Sequence, residues 1–264
     1  MLKLWSASSA KPERRPGCTD RFTVGPAVDL LKRESPVLPG VMAWCGKDAS
    51  LLAVCDHESG RIQAFRLGQT VSREWVRSVP HVMYLSASAD GRWLAAGTQD
   101  GGAGVSILDA SSGEVVRELP IGDAMAVFSP AGPWLVTTTG RLTTPEGECC
   151  LWRAGSWEKV QSRPLSRTSS SPPTIRISRD GRVLAIARTE SDIQLLHLET
   201  LEEIATLSSP QPGYVAYLAF SSDSRWLAAA VANTVHSWDL EGLRKGLAPL
   251  GLDWEQARDL TTGR

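Results

Sequence analysis

Long hydrophobic runs are missing from this sequence of 264 residues. The longest uninterrupted one, Trp226–Ala232, is far too short to cross a bilayer, where about 20 apolar residues are needed. The start, MLKLWSASSAKPERR, holds no run suited to the core of a signal peptide. An excess of charge of either sign is missing too. Basic residues number 28 and acidic ones 29, which withdraws support from a nucleic-acid or anionic-membrane surface. Cysteine is sparse and odd in number: Cys18, Cys45, Cys55, Cys149 and Cys150. No CxxC pair occurs, so spacing gives no zinc site, and no metal or other cofactor is expected. In a strand the adjacent Cys149 and Cys150 face opposite sides, which argues against a disulfide between them. The expectation is buried free thiols in a reducing compartment, in a soluble, cytoplasmic chain with no membrane part.

What is present is a hydrophobic fraction of 42%, enough for a packed core, and a repeated unit. The stretch Ala219–Leu240, AFSSDSRWLAAAVANTVHSWDL, reads as three strands parted by a Ser-Asp-Ser turn and an Ala-Asn turn. AVFSPAGPWLVTTT, IRISRDGRVLAIA, YLSASADGRWLAAG and WCGKDASLLAVC repeat its first half. Six segments share the third-strand column, ending at Trp5, Phe65, Leu108, Trp152, Leu196 and Trp238. The intervals are 60, 43, 44, 44 and 42 residues. Four of the five lie at or near the roughly 40–45 residues of one four-stranded propeller blade. A single such sheet cannot bury both faces, and neighbours set radially about an axis bury them for each other. The tryptophans support this. Trp5, Trp152 and Trp238 share one column and Trp93, Trp134 and Trp226 another, a register expected of blade-to-blade packing. Trp44, Trp75, Trp157 and Trp254 stand outside both columns, and an exposed one among them would suit a partner anchor.

FSPAG at 128–132, ISRDG at 177–181 and SADG at 88–91 occupy the first hairpin turn, and WDL at 238–240 closes a third strand. Over about residues 40–240 this pattern resembles the WD-repeat propellers. The resemblance implies an all-β fold, a WD-repeat-like β-propeller with five recognisable blades plus a partial N-terminal blade and a short C-terminal helix. One repeat alone keeps Trp-Asp, and the Gly-His pair before the first strand is missing, so apolar packing is expected to hold the blades. The 60-residue first interval leaves residues 1–40 as a partial blade or closing strand with a Pro/Ser-rich loop around a short strand near Phe22–Val24. Residues 41–240 form the blades. Blade three carries a polar loop at 137–148, and a linker follows at 163–173. Residues 241–264 form a short helix and tail: Leu240, Leu243, Leu247 and Leu250 keep one helical face, and Pro249 with Gly251 ends it after about two turns. No fourth strand is visible for the last blade, an open edge that sheets normally cover. Over about 199–254 the chain also resembles the propeller region of bacterial serine/threonine protein kinases, through VHSWDLEGLRKGLAPLGLDW.

Chemistry is hard to find. The only Gly-dense stretch, GTQDGGAGVS at 97–106, lacks the lysine and aspartates of a kinase, and its glycines read as turn residues. His57, His81, His197 and His236 fall on separate segments and do not converge on a metal. Asp48, Asp90, Asp180 and Asp223 recur in one hairpin position, which makes them turn residues. No GxSxG elbow supports a serine hydrolase, although a spatial triad leaves no local signature. The expectation is a chain with no catalytic residues, a non-catalytic protein-interaction scaffold. Its alternatives are the sensory or substrate-docking propeller of a serine/threonine kinase whose catalytic domain lies outside this chain and, third, a propeller hydrolase. The partner is expected to be a protein, held by the turns between second and third strands and by the blade linkers. The residues singled out there are His57, Glu58, Arg61, Asp100, Glu146, Arg188 with the adjoining Thr189 and Glu190, Tyr214 and Asn233.

Overall fold

A computed structural model describes residues 41–250, apart from 46–49, 57, 69, 100, 140–145, 167–173, 188, 190 and 212, and four two-residue strands before residue 30. Those four are β1 (Lys3–Leu4), β2 (Ala7–Ser8), β3 (Thr23–Val24) and β4 (Val28–Asp29). Here β1 pairs with β4 and β2 with β3, so among the described residues the first strand does not complete the last blade.

Blade one is β5 (Met42–Cys45), β6 (Leu51–Asp56), β7 (Arg61–Leu67) and β8 (Val71–Ser78). Blade two is β9 (Val82–Ala87), β10 (Trp93–Thr98), β11 (Val105–Asp109) and β12 (Val115–Leu119). Blade three is β13 (Ala124–Phe128), β14 (Trp134–Thr139), β15 (Glu146–Arg153) and β16 (Glu158–Ser166). Blade four is β17 (Ile175–Ile177), β18 (Val183–Ala187), β19 (Asp192–His197) and β20 (Glu203–Ser208). Blade five has three strands, β21 (Val215–Phe220), β22 (Trp226–Val231) and β23 (Thr234–Asp239), then α1 (Leu240–Leu247) and a 3-10 turn at Ala248–Leu250. Within the five blades every pairing is antiparallel and sequential, and the result is an all-β propeller. Three strands run further than the sequence pattern suggests. β14 continues through Thr139 and β15 begins at Glu146, both inside the loop expected at 137–148, and β16 continues past Pro164, which an outer edge strand tolerates. The buried Thr137 hydroxyl accepts a 2.9 Å hydrogen bond from Trp152 Nε1, which gives this polar segment a reason to stay in the sheet.

Alternation along the strands gives each sheet two apolar faces, and neighbours fill them. Ile62 and Leu94 lie in the core between blades one and two, Ile107 and Leu135 in that between two and three. Leu151 and Ile186 serve blades three and four, Leu195 and Leu227 blades four and five. In all four complete blades the third and fourth strands slip register by one residue at the same place. The residues left over are Glu74, Val116, Val160 and Ile204, each opposite the third-strand column. Such a bulge sharpens the local twist, as a blade splaying outward from an axis requires.

The first hairpin turns share a device. In SADG, ISRDG and FSSDS the Ser hydroxyl donates to the Asp two residues on, at 2.5, 2.6 and 2.5 Å for Ser88, Ser178 and Ser221. Each Asp also accepts a backbone N–H, from Arg92, Arg182 and Arg225 respectively. Asp90, Asp180 and Asp223 are thus turn residues, as their spacing implies. Asp48 lies outside the described residues.

Candidate functional site

The innermost strands of all five blades, β5, β9, β13, β17 and β21, line one axial cavity of about 460 Å³. Hydroxyls tie neighbouring inner strands together around it. Ser86 Oγ accepts from Phe128 N at 2.9 Å across blades two and three. Thr174 Oγ1 reaches the Val215 and Ala216 carbonyls, both at 3.4 Å, across blades four and five. The wall is mostly apolar and aromatic, with Met42, Trp44, Met125 and Tyr217 among its members, and Arg176 is the one charged residue among the described residues that line it. Trp44 is 46% exposed and Tyr217 is 69% exposed, so the aromatic side chains that blades one and five bring to the cavity are open to solvent.

Arg176 lies between Ile175 and Ile177 on β17, the innermost strand of blade four. The isoleucines point into the core between blades three and four, and alternation turns the arginine to the axis. Its Nη1 donates to the Ile175 carbonyl at 2.7 Å. Burial pulls its pKa below the usual guanidinium value, partly offset by the nearby Tyr217 phenol. Of the cavity residues, turn and loop reasoning singled out Tyr214, and Trp44 stood among the possible anchors, whereas Arg176 was missed. The signal was present as an arginine between two isoleucines in the strand nearest the axis.

The loop residues expected to bind a partner are distributed as follows. Glu58 and Arg61 are exposed at the turn from β6 to β7, where Asp56 accepts from Glu58 N at 3.3 Å. Tyr214, 45% exposed, lines the cavity, and its carbonyl accepts from Ala232 N at 3.1 Å. That bond brings Tyr214 beside the β22–β23 turn that holds the exposed Asn233. Thr189 caps its own turn, its hydroxyl accepting from Ser191 N and Asp192 N at 3.2 and 2.8 Å. His57, Asp100, Arg188 and Glu190 lie outside the described residues, and Glu146 is described only as the first residue of β15. Tyr214 and Asn233 are therefore brought together, and Glu58 and Arg61 form a separate pair on blade one.

The Gly-dense turn is occupied from within. Gly101 N and Gly102 N both donate to Asp123 Oδ1, at 2.9 and 3.0 Å, so these amides already hold an anion, the chain's own carboxylate. Among the described residues no three His, Cys, Asp or Glu side chains are grouped to hold a metal ion. His236 bonds Thr234 at 2.9 Å on blade five, and His81 begins the approach to β9 on blade two. The tryptophans outside the two columns part ways. Trp75 is buried, Trp157 packs edge-on against Trp93 at 5.5 Å, Trp44 is exposed at the cavity, and Trp254 lies outside the described residues.

Radial four-stranded sheets about a lined axial cavity define a β-propeller. Residues 201–239 match the family described as WD domain, G-beta repeat, which covers the last strand of blade four and all of blade five. Human WD repeat-containing protein 36 is 34% identical over 107 residues, 40% of this chain and 11% of that protein. SEC12-like protein 2 of Arabidopsis thaliana is 33% identical over 73 residues, 28% of this chain and 18% of that protein. The aligned segments span less than a fifth of either relative. Among the described residues no helix is long and apolar enough to cross a membrane.

Proposed function

We propose that this chain is a non-catalytic scaffold that binds a partner protein at the mouth of its axial cavity. The observation that carries this reading is the exposure of three large aromatic side chains, Trp44 from blade one and Tyr214 and Tyr217 from blade five, all lining the same concave space. Tyr and Trp give broad, stiff, amphipathic contact area, the usual make-up of an interface anchor. The WD repeat at 201–239 supports the same class of activity, since repeats of that kind serve protein–protein contacts. Four buried free thiols suit a cytoplasmic setting, where no disulfide is required of them.

A partner can be sought by cross-linking and affinity capture with the wild-type chain, then compared with a Trp44→Ala, Tyr214→Ala double variant of unchanged melting behaviour. The scaffold reading expects at least tenfold weaker capture by the double variant. Equal capture would remove the cavity mouth as the binding face. A narrower version makes the chain the docking propeller of a serine/threonine kinase. It rests on the likeness of residues 199–254 to such propellers and on a helix, α1, directly after Trp238-Asp239. Coding sequence upstream of Met1 tests it: an in-frame kinase domain supports it and its absence removes it.

A further inference from the structure

We infer that the axial cavity receives an acidic side chain of a partner polypeptide, with the carboxylate meeting Arg176. The inference rests on the scaffold reading and adds the chemistry of what is bound. A guanidinium carries five N–H donors, and here one nitrogen of the group is spent on the neighbouring Ile175 carbonyl. Among the described residues no carboxylate pairs with Arg176, and none lines the cavity. A partly buried cation without a counter-charge is costly to keep, and an incoming carboxylate relieves that cost while taking a bidentate geometry. The walls fix the rest of the ligand. Trp44, Met42, Met125 and Tyr217 offer apolar and aromatic contact, so the acidic residue is expected between hydrophobic neighbours.

Two comparisons narrow the class. A phosphoryl group carries nearly two negative charges and calls for more than one cation, whereas among the described residues Arg176 is the one cation in the cavity wall. A volume of about 460 Å³ is of ligand-pocket size and admits one or two side chains, but no folded element. The other anion-holding groove on the molecule, the Gly101 and Gly102 amides, is filled by Asp123 and offers nothing further.

The experiment titrates the intact chain with a short peptide centred on Leu-Glu-Phe and with its Leu-Gln-Phe counterpart, reading calorimetry and tryptophan fluorescence. Phenylacetate and phenylacetamide form a second arm. We expect the Glu peptide to bind about tenfold or more tighter than the Gln peptide. That preference should vanish in Arg176→Gln and persist in Arg176→Lys, with circular dichroism confirming that both variants fold. It should also shrink as salt is added, as for any charge pair open to solvent. Equal binding of the two peptides to the wild type overturns the inference, as does a preference that survives in Arg176→Gln. Discrimination by phenylacetate against phenylacetamide, with none between the peptides, overturns the polypeptide assignment in favour of a free carboxylic acid. Loss of partner capture by Trp44→Ala, Tyr214→Ala while Arg176→Gln captures normally would sink the carboxylate site and leave the scaffold standing.

Discussion

Blade one extends its outer strand over blade two, whereas among the described residues blade five has no outer strand to extend. On β8 the Trp75 indole N–H donates to the Ala110 carbonyl at 2.9 Å, and Arg77 Nε donates to the Gly113 carbonyl at 2.8 Å. Gly113 has φ +71°, and a Cβ there would sit 2.5 Å from the Trp75 ring. The seam is closed by a ring laid on a bare backbone. Blade three repeats the gesture on blade four, with Arg163 donating to the Leu201 carbonyl at 2.9 Å. On blade five the chain turns at Asp239 into α1, and β23 remains an edge with Val235 74% exposed. The fourth strand is thus the part of a blade that fastens its neighbour. Where it is missing, the sheet leaves one face to solvent or to another molecule.

The largest test of this contrast is Trp75→Ala. It removes a buried indole and its hydrogen bond, and leaves a hole against Gly113 that no flexible neighbour fills. A loss of about 3–5 kcal/mol is expected, with a fall in melting temperature of roughly 10 °C. Trp226→Ala, on the 41% exposed indole of blade five, should cost no more than about 1 kcal/mol. Equal losses at the two sites, read by denaturant unfolding, would mean that the outer strand does not fasten the seam.

A subtler test follows the thiols inside the sealed seams. Burial raises the Cys45 thiol to about 11, and burial with help from Asp56 raises Cys55 to about 12. Cys149 and Cys150 also reach about 12, again chiefly through burial. In the unfolded chain these groups ionise near pH 8.5. The folded state holds the protons more tightly, so this contribution to stability is complete below about pH 8.5 and declines as pH rises toward 11–12. Iodoacetamide at pH 8 should modify these four cysteines only as fast as the chain opens. Rapid labelling of Cys55 in the folded protein would contradict a closed seam.

The architecture was readable in the sequence because a repeated unit averages out local ambiguity. The interval between third-strand residues and the Ser-x-Asp turns locate strands that single-segment propensity would blur. The missing outer strand of blade five was readable for the same reason, as a gap in a regular series. The site was far less legible. Whether Arg176 faces the axis or the rim depends on which strand is innermost, and that is a property of the assembled ring. Loop residues drew attention because they are polar. Yet Thr189 spends its hydroxyl on its own turn, and the Gly101–Gly102 amides are taken by Asp123 from the approach to blade three. Trp75 and Trp44 look alike in the sequence as indoles out of column. One lies on the outermost strand of blade one, against a glycine of blade two, and the other on the innermost strand of the same blade, where it lines a cavity.

The smallest effect is expected at the end of blade five, where Asp239 holds two things at once. Its carboxylate takes a paired contact from Arg225, at 3.0 Å from Nε and 2.7 Å from Nη2, and it accepts from Gly242 N at 3.0 Å as the N-cap of α1. The Arg225 hydrogen bond, then the Gly242 N–H, lower its pKa to about 2. An unfolded-state Asp ionises near 3.9. The folded state therefore binds this proton more weakly, and the stability it lends is present above about pH 4 and is lost as pH falls through about 2. The group is open to solvent, so added salt should bring the folded midpoint back toward the free value. Asp239→Asn keeps a capping acceptor and discards the charge, and should leave α1 formed while removing the acid transition. A carboxyl-carbon titration by NMR reads this directly. A midpoint near 3.9 in the folded wild type would show that the Trp238-Asp239 corner does not join the open blade to its terminal helix through charge, and that the helix is held by the burial of Leu240 alone.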